Sequence, residues 1–284
     1  MPFNSAVVGQ STQQFTHEVD ARWLMAYAAG LGDTNETYMD TAAHRVIAHP
    51  VFPVCLEWPA MLDCFNLPGT ESVTAEERAR NVHAAHDLQI FRPARAGEKL
   101  TTTATVVGLT PIKPGAAQTI RFDTKDKNDE LVCRTYHLGI KLGVEIIGEP
   151  QVVEEMPAFP DFVGGEDWRI AIPIAKEAAH VYTECARIWN PIHTDRAVAI
   201  GAGLPDIILH GTATLALAVS RVVDHYLDGD PSRVVRLGGR FSAMVLMPST
   251  IELLVHADRD GVVSYTVFTD DDQRAISQGF VCYA

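Results

Sequence analysis

In each half of the chain, helical spacing of apolar residues gives way to strict alternation. Between Thr16 and Leu31, Val19, Trp23, Tyr27 and Leu31 recur every four residues, which predicts a helix over 16–31 ended by Gly30 and Gly32. A polar loop runs from Gly32 to Asp40, followed by a Pro-punctuated passage, His49-Pro50-Val51-Phe52-Pro53, and a second apolar segment, Cys55 to Leu67. Gly69 to Arg80 is charged and reads as a surface excursion. From Val82 the period becomes two, through Leu88, Ile90, Leu100, Thr102, Ala104, Val106, Ile120, Phe122, Val132 and 137–142, with turns at 111–117 and 126–129; these are strands. The stretch 145–165 is rich in Pro, Gly and acid and keeps neither period, so a linker is expected there. Beyond it, Trp168 to Ile174 reads as a strand, Ala175 to Arg187 as a helix, and another helix reaches Val222. Strands follow at 237–247, 249–256, 261–269 and 275–283.

The two halves run through the same elements in the same order. Asn35-Glu36-Thr37-Tyr38-Met39-Asp40 lies over Asn190-Pro191-Ile192-His193-Thr194-Asp195 at an offset of 190 − 35 = 155. Phe91 to Leu100 answers Phe241 to Ile251, and Phe122 to Asp126 answers Val267 to Asp271 at 267 − 122 = 145. Loop insertions account for the drift. A duplicated α+β domain follows, with repeats at 1–148 and 166–284 joined by a linker at 149–165.

Composition narrows the function classes. At 284 residues the chain suits two domains of roughly 140 residues, each large enough to bury a core. A net charge of −13 argues against a nucleic-acid partner, whose affinity rests on phosphate neutralisation. No run approaches the length of apolar sequence that spans a bilayer, and MPFNSAVVGQSTQQF lacks a leader pattern, so a cytoplasmic or organelle-matrix protein without membrane association is expected. Cys55, Cys64, Cys133, Cys185 and Cys282 are scattered without a CxxC pair and are expected to be reduced. His83, His86, His180 and His225 show no HxxxH or HExxH spacing, so no metal is expected; no Gly-rich dinucleotide loop follows a strand.

Chemistry concentrates between Tyr182 and Ala218. The Asn190-Pro191 step turns Asn190 away from helical dihedrals, placing His193 just past a helix break. His210-Gly211-Thr212 stands immediately before an apolar helix, so the amides of Gly211 and Thr212 point out of a helix N-terminus, where negative charge is favoured. A base therefore faces an oxyanion hole. Asp40 and Asp195, at equivalent places in the repeats, are expected to cap the turns that follow them.

Asn190-Pro191-Ile192-His193, with small Ala199 after a five-residue spacer, resembles the hydratase 2 motif of the MaoC-like, or (R)-specific enoyl-CoA hydratase, family, and Leu209-His210-Gly211-Thr212 resembles its His-Gly step. Ala28 to Asn35 and His49 to Pro53 are similar to the amino-terminal repeat of two-hot-dog members. The resemblance implies a double hot-dog, each repeat a long central helix wrapped by an antiparallel sheet. It implies an acyl-thioester hydro-lyase, an enoyl-CoA hydratase or 3-hydroxyacyl-CoA dehydratase, with coenzyme A carried on the substrate and no separate cofactor. Catalysis falls to His193 as acid/base, the Gly211 amide on the thioester oxygen and Asn190 as orienting group, with His210, Thr212 and Tyr182 at the substrate. Arg236, Arg240 and Lys176 are candidates for the coenzyme's phosphates. One departure matters: the family's Gly-Asp pair is Arg187-Ile188, so its catalytic aspartate is missing. Asp33 (which stands at the aspartate position of the first repeat), Glu184 and Asp195 are the candidate auxiliary acids. The departure leaves open a degenerate acyl-CoA-binding or regulatory protein, or a lyase or isomerase using His193 alone on a non-CoA substrate. Fusion of two repeats allows a monomer, and a homodimer stays open.

Overall fold

The computed structural model describes residues 3–71, 73–74, 77–78 and 81–284. Its first regular elements correct the helix expected over 16–31. Phe15–Val19 is a strand, β2, and the helix α1 covers Ala21–Gly30. Asp20 sets the boundary, because its carboxylate accepts from the Trp23 amide at 2.7 Å and caps the helix. Val19 keeps the four-residue spacing only because a strand end that faces the core happens to adjoin a helix start. Of the excursion expected at 69–80, part lies outside the described residues.

After the short α2 (Glu36–Met39), the second apolar segment forms α3 (Pro53–Asp63), shorter than the helix of the second repeat and carrying Pro59 within it. Strands β3 (Asn81–Ile90), β4 (Glu98–Ile112), β5 (Gly115–Lys125) and β6 (Leu131–Leu142) curl around it. The second repeat holds β9 (Trp168–Ile174), α4 (Ala178–Ala186), α5 (Arg196–Gly201) and α6 (Gly211–Tyr226). It is completed by β10 (Val234–Phe241), β11 (Ser249–Arg259), β12 (Val262–Phe268) and β13 (Arg274–Tyr283). The strand expected through Met247 stops at Phe241, and the chain from there to β11 is loop, with the Val245 carbonyl accepting from the Leu209 amide. Helix α6 buries residues on almost every side, from Ala213 to Val223, as a helix wrapped by a sheet must.

Antiparallel pairing of β3 with β10 joins the repeats into one sheet of order β2-β4-β5-β6-β3-β10-β13-β12-β11-β9. Two features fix this seam. Gly238 lets the strands close up, since a Cβ there would sit 2.2 Å from the His86 carbonyl oxygen. Beside it, the Arg236 guanidinium forks onto Asp87, with Nη2 to Oδ2 at 2.5 Å, and also donates to the Ala158 carbonyl. Burial pushes the Asp87 carboxyl up despite this partner, so desolvation outweighs the nearby charge. Arg236 is therefore committed to the seam and not to a coenzyme phosphate. Arg240 likewise donates to Gln278, while Lys176 is exposed.

Over the same axis α1 packs on α4. Tyr27 and Tyr182, related by the offset 182 − 27 = 155, bring their hydroxyls to 3.2 Å. The stretch expected as a plain linker is tied down. Ile146–Ile147 (β7) runs parallel to Phe3–Asn4 (β1), and Gln151–Val152 (β8) pairs with β4. Beyond them Glu154 bonds Arg121 and Tyr136, and Phe159 packs on Phe280. It is a strap across the outer face of the sheet. No helix among the described residues is long and apolar enough to cross a membrane.

Because Asp87 is fully buried, Arg236→Met strands a desolvated carboxylate at the seam. A loss of about 3 kcal/mol is expected in urea unfolding, and Arg236→Met with Asp87→Leu should recover most of it.

Candidate active site

Three turns place the second repeat's polar groups together. Helix α4 ends at Arg187, whose φ of 58° is left-handed, and the Ile188 amide bonds back to the Thr183 carbonyl. Arg187 then lies over the Trp23 ring at 4.0 Å. Asn190 starts a short 3-10 turn, its Oδ1 accepting from the Ile192 amide at 3.4 Å, and the turn delivers His193 inward. Asp195 accepts from the amides of Ala197 and Val198 and so starts α5; Asp40 does the same for Ala42 and Ala43.

His193 is nearly buried, and its Nδ1 lies 2.8 Å from the Ile208 carbonyl. A carbonyl only accepts, so Nδ1 carries the proton and Nε2 keeps its lone pair. Burial pushes this imidazole down to about 4 even though the carbonyl favours protonation, so it is a neutral base at neutral pH. Its ring stacks on His210 with centroids 3.6 Å apart. His210 in turn meets the Thr183 hydroxyl through Nε2 at 3.2 Å, and its pKa is driven down by burial and by the neighbouring His193.

The residue after His210 opens α6. The first helical bonds there run from Ala213 and Thr214 to the His210 carbonyl, so the Gly211 and Thr212 amides have no intrahelical acceptor. Gly211 has no room for a side chain: a Cβ would lie 3.2 Å from the Phe241 ring. The His193 ring thus lies against His210, the residue directly before the free amides.

Not every candidate residue comes to this place. Tyr182 is buried, with its hydroxyl donating to Thr212 Oγ1 at 3.1 Å, so its own proton is taken up at the start of α6 while that of Thr212 is still free to donate. Ile188 is buried where the aspartate was expected, and its carbonyl is the polar group it offers to His210. Glu184 and Asp195 are exposed. Asp33 lies in a separate cleft with Asn35, Arg221, Asp224 and Asp228. Arg221 and Asp224 are 221 − 211 = 10 and 224 − 211 = 13 residues along α6 from Gly211, roughly 15–20 Å at the helical rise. Asp33 therefore faces the far end of α6 from Gly211. Sequence reading also passed over Thr183 and Phe241, whose roles come from contacts distant in the chain.

The first repeat keeps the same cluster with different chemistry. His49 corresponds to His210, since Phe52 donates to its carbonyl as Ala213 does to that of His210, at an offset of 210 − 49 = 161. Tyr38 stands against His49 with ring centroids 5.6 Å apart, where His193 stands against His210. Pro50 then takes the place of Gly211 and has no N–H to offer.

Residues 165–273 match the model of the MaoC-like domain, and residues 6–135 that of the FAS1-like dehydratase domain region. The second half of the chain thus carries a MaoC-like domain and the first a FAS1-like dehydratase region. The chain is 22% identical over 270 residues to the peroxisomal enoyl-CoA hydratase 2 of Arabidopsis thaliana, covering 88% of itself and 85% of that protein. It is 24% identical over 260 residues to a 3-hydroxyacyl-thioester dehydratase of Mycobacterium tuberculosis, covering 89% and 87%. A third relative, an enoyl-CoA hydratase of the same bacterium, is 32% identical over 113 residues, which make up 40% of the chain and only 39% of that protein's length. Among solved structures, a MaoC-like dehydratase from Phytophthora capsici superposes with a TM-score of 0.82 at 20% identity over 98% of this chain and 97% of that one. A Mycobacterium tuberculosis protein with a double hotdog fold gives 0.63 at 17% identity over 97% and 95%. The MaoC-like fold is thus a double hot-dog, as its two wrapped helices require.

Histidines dominate its acid response. His49, His83, His86, His137, His193 and His210 are all held below the ordinary imidazole value, with burial the leading cause. A folded pKa below the unfolded one means stability that is complete above about 6.5 and lost as pH falls toward the folded values, by about 1.4 kcal/mol per pH unit for each histidine. Glu57, buried and pushed up to about 7, acts in the opposite sense and offsets one of them. Denaturant midpoints should drop steeply between pH 6.5 and about 4.5; a flat profile would show these rings to be solvated.

Proposed function

We propose that the second repeat adds water reversibly across the α,β double bond of a 2-enoyl thioester, of coenzyme A in the first instance. The observation that carries this reading is the juxtaposition of His193, tautomer fixed by Ile208, with the free amides at the start of α6. The thioester oxygen accepts from the Gly211 amide, which stabilises the enolate as negative charge builds there; one such donor is worth about 3 kcal/mol of barrier. His193 Nε2 takes a proton from water as the water oxygen bonds to Cβ, and the imidazolium returns it to Cα. Dehydration is the reverse.

The low pKa of His193 makes it a weak base and its conjugate a strong acid, which suits the return of a proton to carbon within the site. This division of one proton between two steps lets a single residue stand in for a pair. It also explains how a chain with Ile188 retains the rest of the machinery. Asn190, whose side-chain oxygen is taken up by its own turn, positions His193. A substrate carried on coenzyme A fits the enoyl-CoA hydratases among the relatives, and the compartment in which it meets this chain follows the pathway that makes it.

Crotonyl-CoA hydration is the direct test, read by loss of the enoyl-thioester absorbance. His193→Ala should lower kcat at least about 100-fold, and the wild-type rate should fall on acidification with a limb near pH 4, where the base becomes protonated. Ile188→Asp should raise kcat about 10-fold or more while lowering stability, since it buries a carboxyl among apolar groups. Equal rates in wild type and His193→Ala would sink the hydratase reading and leave thioester binding without turnover.

A further inference from the structure

The inner face of the first repeat carries polar groups that hydration does not use. A bulge between His83 and Ala85 turns His83 onto the face of His86, and His86 pairs directly with His137 on β6. The His83 and His137 rings stack at 3.8 Å, and His86 meets His83 edge-on at 5.3 Å. Nε2 of His83, Nε2 of His137 and both ring nitrogens of His86 are buried without a hydrogen-bond partner.

Farther along β6 on the same face, Lys141 is only 2% exposed. Its ammonium lies 5.2 Å from the Phe3 ring and 4.9 Å from that of Phe65, and it forms no ion pair among the described residues. Burial pushes it down to about 8, and Arg78 adds further positive charge. A small cavity of about 10 Å³ opens between Met61, Phe65, Asn81, Gln118, His137 and Lys141. Buried charges are ordinarily paired. Among the described residues Lys141 has no such partner.

Two ligands suit unpaired nitrogens, a metal cation and an anion. The three histidines bring ring nitrogens within 4.8 Å of one another, a grouping that their sequence spacing did not reveal. Yet a metal lies in the plane of each ligating ring, whereas His83 and His137 stack at an interplanar angle of 24°, so their lone pairs run side by side. Among the described residues no carboxylate helps the cluster hold a dication, and the Lys141 ammonium beside His137 opposes one. An anion gains from that ammonium and from the N–H that His86, unpartnered at both nitrogens, has to offer.

Phe241 stands between the histidine cluster and the start of α6. Its ring lies 4.6 Å from that of His83, and a Cβ on Gly211 would come within 3.2 Å of it. We propose that the pocket receives the far-end carboxylate of an acyl chain whose thioester sits on Gly211, making the preferred substrate a 2-enoyl thioester of a dicarboxylic acid. The inference rests on the hydratase reading for the placement of the thioester. Lys141 supplies the charge and Asn81 and Gln118 neutral donors, while the free N–H of His86 gains an acceptor. The chain enters by moving Phe241 and Met61, because the cavity as it stands has room for little more than a water.

The test uses the full chain with 2-enoyl-CoA esters of matched lengths ending in methyl or carboxylate, and crotonyl-CoA as a probe too short to reach the pocket. At one or more lengths kcat/KM should favour the carboxylate by about tenfold or more, and Lys141→Met should abolish that preference while leaving crotonyl-CoA hydration unchanged. No preference in the wild type at any length overturns the proposal without needing the variant, as does a preference that survives in a folded Lys141→Met. If crotonyl-CoA and all other esters are inert, the hydratase reading has failed, and calorimetry with saturated acyl-CoA and ω-carboxyacyl-CoA decides the pocket alone. Tenfold tighter binding of the carboxylate supports it, and equal binding overturns it. Adipate binding that depends on Lys141, with no gain for ω-carboxyacyl-CoA, identifies a separate small-anion site and overturns it. So does stoichiometric zinc binding that is lost in His86→Ala.

Discussion

The antiparallel seam between β3 and β10 is the constraint on which the rest depends. It removes one edge from each repeat's sheet and thereby fixes how the two wrapped helices face each other. Gly238 permits the close approach, and the buried Asp87–Arg236 pair ties the outer face at the same level. A buried pair of this kind contributes little net stability compared with an apolar alternative, but it penalises any register in which the partners miss each other. Phe241, where β10 ends, then falls between Gly211 and His83, so the seam's geometry sets the distance from the thioester site to the inner face of the first repeat.

Above that seam the repeats share a scaffold and divide the chemistry. Tyr27 against Tyr182, and His49 against His210, occupy corresponding places, and each histidine is packed against a ring from the preceding turn. Only the second repeat has an imidazole there and an amide behind it. In the first, Asp33 is retained but points into a cleft with Asp224, at the far end of α6. The acid of the first repeat and the imidazole of the second thus stand toward opposite ends of α6.

Much of the architecture was legible because hydrophobic alternation and the duplication are properties of neighbours in sequence. The offset of 155 that relates Asn35 to Asn190 also relates Tyr27 to Tyr182, and it predicted the pseudosymmetry across α1 and α4. Val19 misled for a physical reason: a core-facing strand end and a core-facing helix start both demand an apolar residue, and only the Asp20 cap distinguishes them. The placement of His193 past a helix break and of Gly211 at a helix start was legible from the Asn190-Pro191 step and the apolar run after His210. The histidine cluster was not, since positions 83 and 86 fall on opposite faces of a regular strand and only the bulge brings them together, with His137 arriving from β6. The strap at 149–165 escaped notice because its anchors, Glu154 on Arg121 and the Ala158 carbonyl on Arg236, are side-chain contacts that leave no period.

Pro50 has a consequence for how such a protein changes over time. Its ring leaves the first repeat without the free amide that Gly211 offers in the second, and Tyr38 stands where the second repeat has His193. Histidine at 38 alone would supply an imidazole with no free amide behind it, and glycine at 50 alone an amide with no imidazole. No single substitution therefore gives the first repeat the pair that the second holds, and a step that needs two changes at once is rarely retraced.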